Sequence, residues 1–164
     1  MTQTTKQAVF AGGCFWGVEH LMQAAPGVLD VQSGYTGGTV ESPSYEQVKT
    51  GMTGHLEAVR VTYDPAQTDY ETLAKLFFEI HDPTQIDGQG PDIGSQYRSA
   101  VFYVDEEQKK VADKLIALLA QKGYKIATRV LPLGTFWPAE PYHQDYYVRK
   151  GTEPYCHLRV KRFD

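Results

Sequence analysis

His55-Leu56-Glu57-Ala58-Val59-Arg60-Val61-Thr62-Tyr63 alternates, and as a strand it sets Glu57, Val59, Val61 and Tyr63 on one face. Leu56, Ala58, Arg60 and Thr62 take the other face. The first face is the more apolar and is expected to be the buried one, which carries the Glu57 carboxyl to the core side. Asp64-Pro65 ends the strand, and Thr68 and Glu71 then stand at capping-box spacing. Leu73, Leu76, Phe77 and Ile80 follow at i, i+3, i+4 and i+7, the pattern of a helix with one buried stripe.

The chain before this stretch repeats the alternation of strand and helix. Lys6 to Ala11 reads as a strand, and Gly12-Gly13 breaks it. A helix from Cys14 carries Val18, Leu21, Met22 and Ala25 on one face as far as Pro26-Gly27. Val28 to Tyr35 is a second strand, closed by Gly37-Gly38, and Ser42 with Pro43 is expected to cap a short helix through Lys49. Downstream, His81 to Gln96 is broken by glycines and prolines and reads as an ordered loop. Ser99 to Val104 is a strand, and Asp105 to Lys122 is a helix burying Val111, Leu115, Leu118 and Leu119 before Gly123. Lys125 to Leu131 is a last strand, after which a short helix is expected over Ala139 to Val148. A strand–helix–strand unit used twice predicts an α+β fold: a mixed β-sheet with packed helices, a ferredoxin-like two-layer sandwich with a long irregular C-terminal tail. All 164 residues fit one domain, whose tail from about residue 132 is expected to wrap the core.

Composition removes several classes of function. Net charge is −4 with no block of basic residues, which argues against nucleic-acid or anionic-membrane partners. The basic residues between Val148 and Arg162 read as a solvated end. No apolar run approaches the roughly 20 residues of a membrane span, and Met1 to Gln7 lacks the build of a signal peptide. Two cysteines make no disulfide scaffold, so a reducing, cytoplasmic setting is expected. The five histidines have no metal-ligand spacing and no phosphate loop is present, so neither a metal nor a bound cofactor is expected. No heptad argues for assembly, and a monomer is expected.

Cys14 stands where a strand ends and a helix begins. Amides at a helix start lack intrahelical partners and favour a thiolate. Position alone leaves a buried, inert cysteine equally open. Phe15 and Trp16 point to different sides of the first turn, so both cannot lie on the Val18 stripe; one is expected beside Cys14 and at least one in packing. An inward Glu57, its pKa raised by burial, is a candidate general acid. Tyr35, at a glycine turn, and Tyr97, in the loop after Asp92, are neutral donors suited to a polarised oxygen. Cys156 lies 142 positions beyond Cys14, too far for a C-x-x-C pair; it is either a bystander or a thiol that resolves an oxidised partner.

Taken in order, the segments Gly12-Gly13-Cys14-Phe15-Trp16-Gly17, Gly34-Tyr35-Thr36-Gly37-Gly38, Gly54-His55-Leu56-Glu57 and Val61-Thr62-Tyr63-Asp64-Pro65 resemble the A-type peptide methionine sulfoxide reductases. Asp92-Ile93-Gly94-Ser95-Gln96-Tyr97-Arg98-Ser99, Pro138-Ala139-Glu140 and Tyr142-His143-Gln144 extend the resemblance, which runs from about Ala8 to Cys156. It implies reduction of methionine-S-sulfoxide, protein-bound or free. Cys14 would be the nucleophile, Glu57 the proton donor, and Tyr35 and Tyr97 the ligands of the sulfoxide oxygen. Phe15 and Trp16 would hold the methyl group, and Asp92, His143 and Tyr146 would line the site. Cys156 would be the resolving cysteine of a two-cysteine form recycled by thioredoxin or another external dithiol. Trp137 and Pro141 depart from the family's usual residues, at the rim only. Two other functions fit the same residues: a cysteine hydrolase or peroxidase with Cys14 activated by His143, and a non-catalytic module that binds oxidised methionine.

Overall fold

The computed structural model describes residues 4–151, His157 and residues 159–163. Its strands and helices alternate as β1 (Lys6–Gly12), α1 (Phe15–Gln23), β2 (Val28–Thr36), α2 (Tyr45–Lys49), β3 (Leu56–Tyr63) and α3 (Tyr70–Ile80). Two short strands, β4 (Gly88–Gln89) and β5 (Asp92–Ile93), pair with each other inside the loop expected there, and a 3-10 turn spans Ser95–Tyr97. The chain continues through β6 (Ser99–Tyr103), α4 (Glu106–Gln121), β7 (Arg129–Pro132) and β8 (Trp137–Pro138), a second 3-10 turn at Pro141–His143, and α5 (Tyr146–Lys150).

Six strands form one sheet in the order β7-β6-β1-β3-β2-β8. Only β6 and β7 run parallel; the other neighbours are antiparallel. The four central strands with α1 and α3 make two interleaved strand–helix–strand units, which is the ferredoxin-like arrangement. No helix among the described residues is long and apolar enough to cross a membrane.

Glu57, Val59, Val61 and Tyr63 are all buried, as the alternation of β3 requires, with α1 and α3 packed over their face. The opposite face departs from expectation. Leu56 and Ala58 are buried too, in a smaller cluster with Val9, Ala11, Ala100 and Phe102 that Phe136 closes from the segment after β7. The strands β1 and β3 are therefore covered on both sides near the end that carries Cys14 and Glu57.

Hydrogen-bond chemistry moves several element ends from where local pattern sets them. The cap of α2 is Ser44, not Ser42, because Ser44 accepts from the Gln47 amide while the Gln47 side chain accepts from the Ser44 amide. Asp69, not Thr68, caps α3 through the Thr72 amide at 2.8 Å, and Glu71 turns instead to Lys75 and Lys114. In α4 the buried face is Gln108, Ala112, Leu115 and Leu119, and Leu118 is exposed. The last strand expected over Lys125 to Leu131 is only β7, while β8 is a sixth strand that a two-residue pairing leaves illegible in sequence.

The basic tail is not simply solvated. Glu79 Oε1 accepts from Arg159, and its Oε2 accepts from the amides of Arg162 and Phe163. Burial works against the Glu79 charge, but those donors outweigh it and hold the carboxyl below its ordinary range. Phe163 joins the main core beside Phe78.

Candidate active site

The turn Gly12-Gly13-Cys14 lies between β1 and α1. Gly13 has φ +96°, a conformation that side chains resist, and a Cβ there would collide with Gln89. Cys14 is the N-cap of α1, and its carbonyl accepts from the Gly17 amide at 3.2 Å. The thiol residue is almost fully covered, at 7% exposure. His157 closes the turn from the tail side. Its Nε2 bonds the Gly12 carbonyl at 2.7 Å, and a Cβ on Gly17 would strike the ring.

Glu57 reaches the same turn from β3. The Phe15 amide, the first of α1, donates to Glu57 Oε1 at 3.3 Å, so one hydrogen bond ties the carboxyl to the residue after Cys14. Burial pushes the Glu57 carboxyl up to about 8; the Phe15 amide opposes this and the Asp92 charge adds to it. Near neutrality the carboxyl therefore keeps its proton.

Two phenols face this pair. Tyr45 is the first residue of α2, and Tyr97 ends the 3-10 turn before β6. Their hydroxyls interact electrostatically, and both feel the charges of Glu57 and Cys14. Burial, with those charges, pushes Tyr45 up to about 12 and Tyr97 higher still, so both remain neutral donors. Tyr35 is placed differently from the expectation. It lies opposite Glu57 in the β2–β3 ladder, but its hydroxyl donates to Glu140 Oε1 at 2.9 Å. Glu140 Oε2 accepts the Tyr45 amide at 3.0 Å, so this carboxylate braces both tyrosines from behind.

The wall beside the thiol is aromatic. Phe15 is buried in the main core, with its ring 5.6 Å from Tyr35 and 5.2 Å from His143. Trp16 is half-buried and stacks on Tyr146 at 3.8 Å with 6° between planes. Trp16 Nε1 donates to His143 Nδ1 at 2.9 Å. An indole N–H is a donor only, so His143 is the neutral tautomer with its proton on Nε2. Its single acceptor lone pair is engaged by Trp16, so His143 is not placed to act as the base for Cys14 that the hydrolase alternative requires.

A model of the peptide methionine sulfoxide reductase family matches residues 6–164. A peptide methionine sulfoxide reductase MsrA of Thermus thermophilus is 52% identical over 154 residues, covering 93% of this chain and 88% of that protein. One from Nautilia profundicola is 49% identical over 150 residues, with 92% and 87% covered. The chain belongs to the peptide methionine sulfoxide reductase family. Among solved structures, reduced Mxr1 of Saccharomyces cerevisiae superimposes with a TM-score of 0.87 at 34% identity, covering 94% of this chain and 92% of that one.

Within this member of the reductase family, the structure brings Cys14, Glu57, Tyr97 and Asp92 together and sets Phe15, Trp16, His143 and Tyr146 in one aromatic wall. Cys156 lies outside the described residues. Tyr45 and Glu140 were missed from sequence. The Ser44-to-Gln47 capping spacing was the available sign for Tyr45, since it starts α2 there. Glu140 had no local sign, because its partners lie 95 and 105 positions away.

Proposed function

We propose that this chain reduces methionine-S-sulfoxide, in proteins and as the free amino acid, with Cys14 as nucleophile and Glu57 as proton donor. The observation that carries the reading is the buried Glu57 carboxyl, hydrogen-bonded to the amide next to Cys14, with burial pushing its pKa up to about 8. A sulfoxide oxygen leaves poorly as an anion, so the acid must deliver a proton as the Cys14 sulfur attacks the substrate sulfur. A bond between the Cys14 and substrate sulfurs forms; the protonated oxygen then passes to the Cys14 sulfur as the substrate's sulfur–oxygen bond and the new sulfur–sulfur bond break, so the substrate departs as a thioether and Cys14 holds the oxygen as a sulfenic acid. Tyr45 and Tyr97, rather than Tyr35, donate hydrogen bonds to the oxygen. Phe15 and Trp16 seat the methyl group, and Asp92, His143 and Tyr146 line the rest of the site.

The sulfenic acid then condenses with the Cys156 thiol to give a disulfide and water, and an external dithiol reduces it by exchange. His157, which follows Cys156 in sequence, bonds the carbonyl of Gly12, two residues before Cys14, and this supports the pairing. Thioredoxin is the reductant we favour; yeast Mxr1 has been solved in complex with Trx2. The protein acts as one catalytic domain, its tail from about residue 132 wrapping the core and carrying the resolving cysteine. We take it to be a cytoplasmic monomer that needs no bound cofactor, because thiols supply both electrons.

Racemic methionine sulfoxide with excess dithiothreitol tests the function. The S epimer should be consumed to methionine and the R epimer should remain; loss of both or of neither sinks the reading. With thioredoxin as the only reductant, Cys156→Ser should give a single turnover and stop. A variant that still cycles removes Cys156 from its role. Tyr45→Phe should lower kcat/KM about 10-fold or more through a lost donor, whereas Tyr35→Phe should change it little. The reverse order would return the oxygen-binding role to Tyr35.

A further inference from the structure

Trp16, Glu19, His20 and Gln23 stand at i, i+3, i+4 and i+7 on α1, a second face of that helix distinct from the Val18–Met22 stripe. Each touches the chain around α5. Trp16 stacks on Tyr146 and donates to His143. His20 meets the Tyr147 ring edge-on at 5.8 Å. Gln23 Nε2 donates to Asp145 Oδ1 at 2.5 Å, and Glu19 Oε1 accepts the Asp145 amide at 2.7 Å.

Glu19 is the unexpected member. It is 1% exposed, and no lysine or arginine pairs with it among the described residues. Burial pushes its carboxyl up to about 7, against the pull of the Asp145 amide. An unpaired buried acid is unfavourable unless it satisfies something equally awkward. Asp145 is that residue. It has φ +54° and ψ 36°, the left-handed region that a non-glycine residue resists, and it is the single residue between Gln144 and Tyr146. Gln144 is itself fixed, since its side chain bonds both the amide and the carbonyl of Ser33. The sharp turn at Asp145 therefore decides where Tyr146 goes relative to His143.

We propose that Glu19 is a positioning residue for substrate binding: by holding the left-handed Asp145 amide, it seats Tyr146 and His143 against Trp16 and so sets the grip on a peptide-borne sulfoxide. This rests on the reading of Trp16, His143 and Tyr146 as the substrate wall. Glu19 acts through Asp145 and takes no part in the chemistry. A carbonyl oxygen of a side-chain amide can accept the Asp145 N–H as well as a carboxylate can, so the acceptor matters and the charge does not.

The test compares Glu19→Leu, which fills the volume without an acceptor, with Glu19→Gln, which keeps one. Glu19→Leu should raise KM for a peptide methionine sulfoxide about 10-fold with kcat within about twofold, and Glu19→Gln should stay near the parent in both. In a Trp137→Phe background, Trp16 becomes the single tryptophan. Its fluorescence should become more accessible to acrylamide in Glu19→Leu and not in Glu19→Gln, because the Tyr146 stack loosens. An unchanged KM in the leucine variant, a fall in kcat alone, or a glutamine variant as impaired as the leucine one each overturns the proposal. The quenching arm needs no turnover. It still reports on Tyr146 placement if the parent fails to reduce sulfoxide, so failure of the functional reading and failure of this inference give different results.

Discussion

Cys14→Ser is expected to abolish sulfoxide reduction, by at least about 10⁴-fold in kcat/KM, while leaving the fold as stable as the parent or slightly more so. The two halves of that expectation have different physical sources. A serine hydroxyl is far less ionised than a thiol near neutrality and cannot carry the oxygen as a sulfenic acid, so no later condensation or exchange is available. Stability follows from position. Residue 14 is the N-cap of α1, and the cysteine side chain makes no capping hydrogen bond. Serine is among the preferred caps and accepts readily from the amides of the first turn, which contributes about 0.5–1 kcal/mol where such a cap forms. Urea denaturation should therefore show an unchanged or higher midpoint alongside absent turnover. Residual reduction at the parent rate would end the assignment of Cys14. A serine variant that is inactive because it has unfolded would show instead that the thiol is structural.

Why so much of this site was legible is itself a matter of chain geometry. Cys14 and Glu57 sit at ends of regular strands, β1 and β3, whose alternation fixes which way each side chain points. The glycines before Cys14 and the buried face of β3 were readable from local pattern alone. Tyr35 shares that logic, yet its hydroxyl turns to Glu140. The strand period correctly turns Tyr35 to the helix side, opposite Glu57, but the period says nothing of how far a phenol reaches or what accepts its hydrogen bond. Glu140 accepts it, from a segment without regular structure. The same limit explains the covering of Leu56 and Ala58 by Phe136, and the capture of Arg159 and Arg162 by Glu79. Irregular chain that returns over a sheet leaves no periodic trace. Its partners are found only when the fold is assembled.

Glu57→Gln separates the proton from the carboxyl shape, and its expected effect is the second largest: a loss of about 10²–10⁴-fold in the first step. The amide oxygen can keep the bond from Phe15 N, so geometry is retained and only the transferable proton is lost. The parent rate should decline as pH rises through about 8, where the buried carboxyl ionises, and the variant should lack that decline. In the parent, stability falls with rising pH as activity does, so the substitution that removes activity adds stability at alkaline pH. A carboxyl raised from 4.5 to about 8 by burial binds a proton in the folded chain that the unfolded chain has already released. Its contribution is complete below about pH 4.5 and is lost progressively as pH rises through about 8. Glutamine does not titrate, so thermal melts of the two proteins should diverge with rising pH, the variant being higher in Tm by about 3 °C or more near pH 9. Glu19, also raised by burial, has the same slope in both proteins and cancels from the difference. A parent whose advantage over the variant grew toward alkaline pH would mean that Glu57 is held as a carboxylate. The acid that protonates the departing oxygen would then have to be another group, with Tyr45 and Tyr97 the neutral donors that face Glu57 and Cys14.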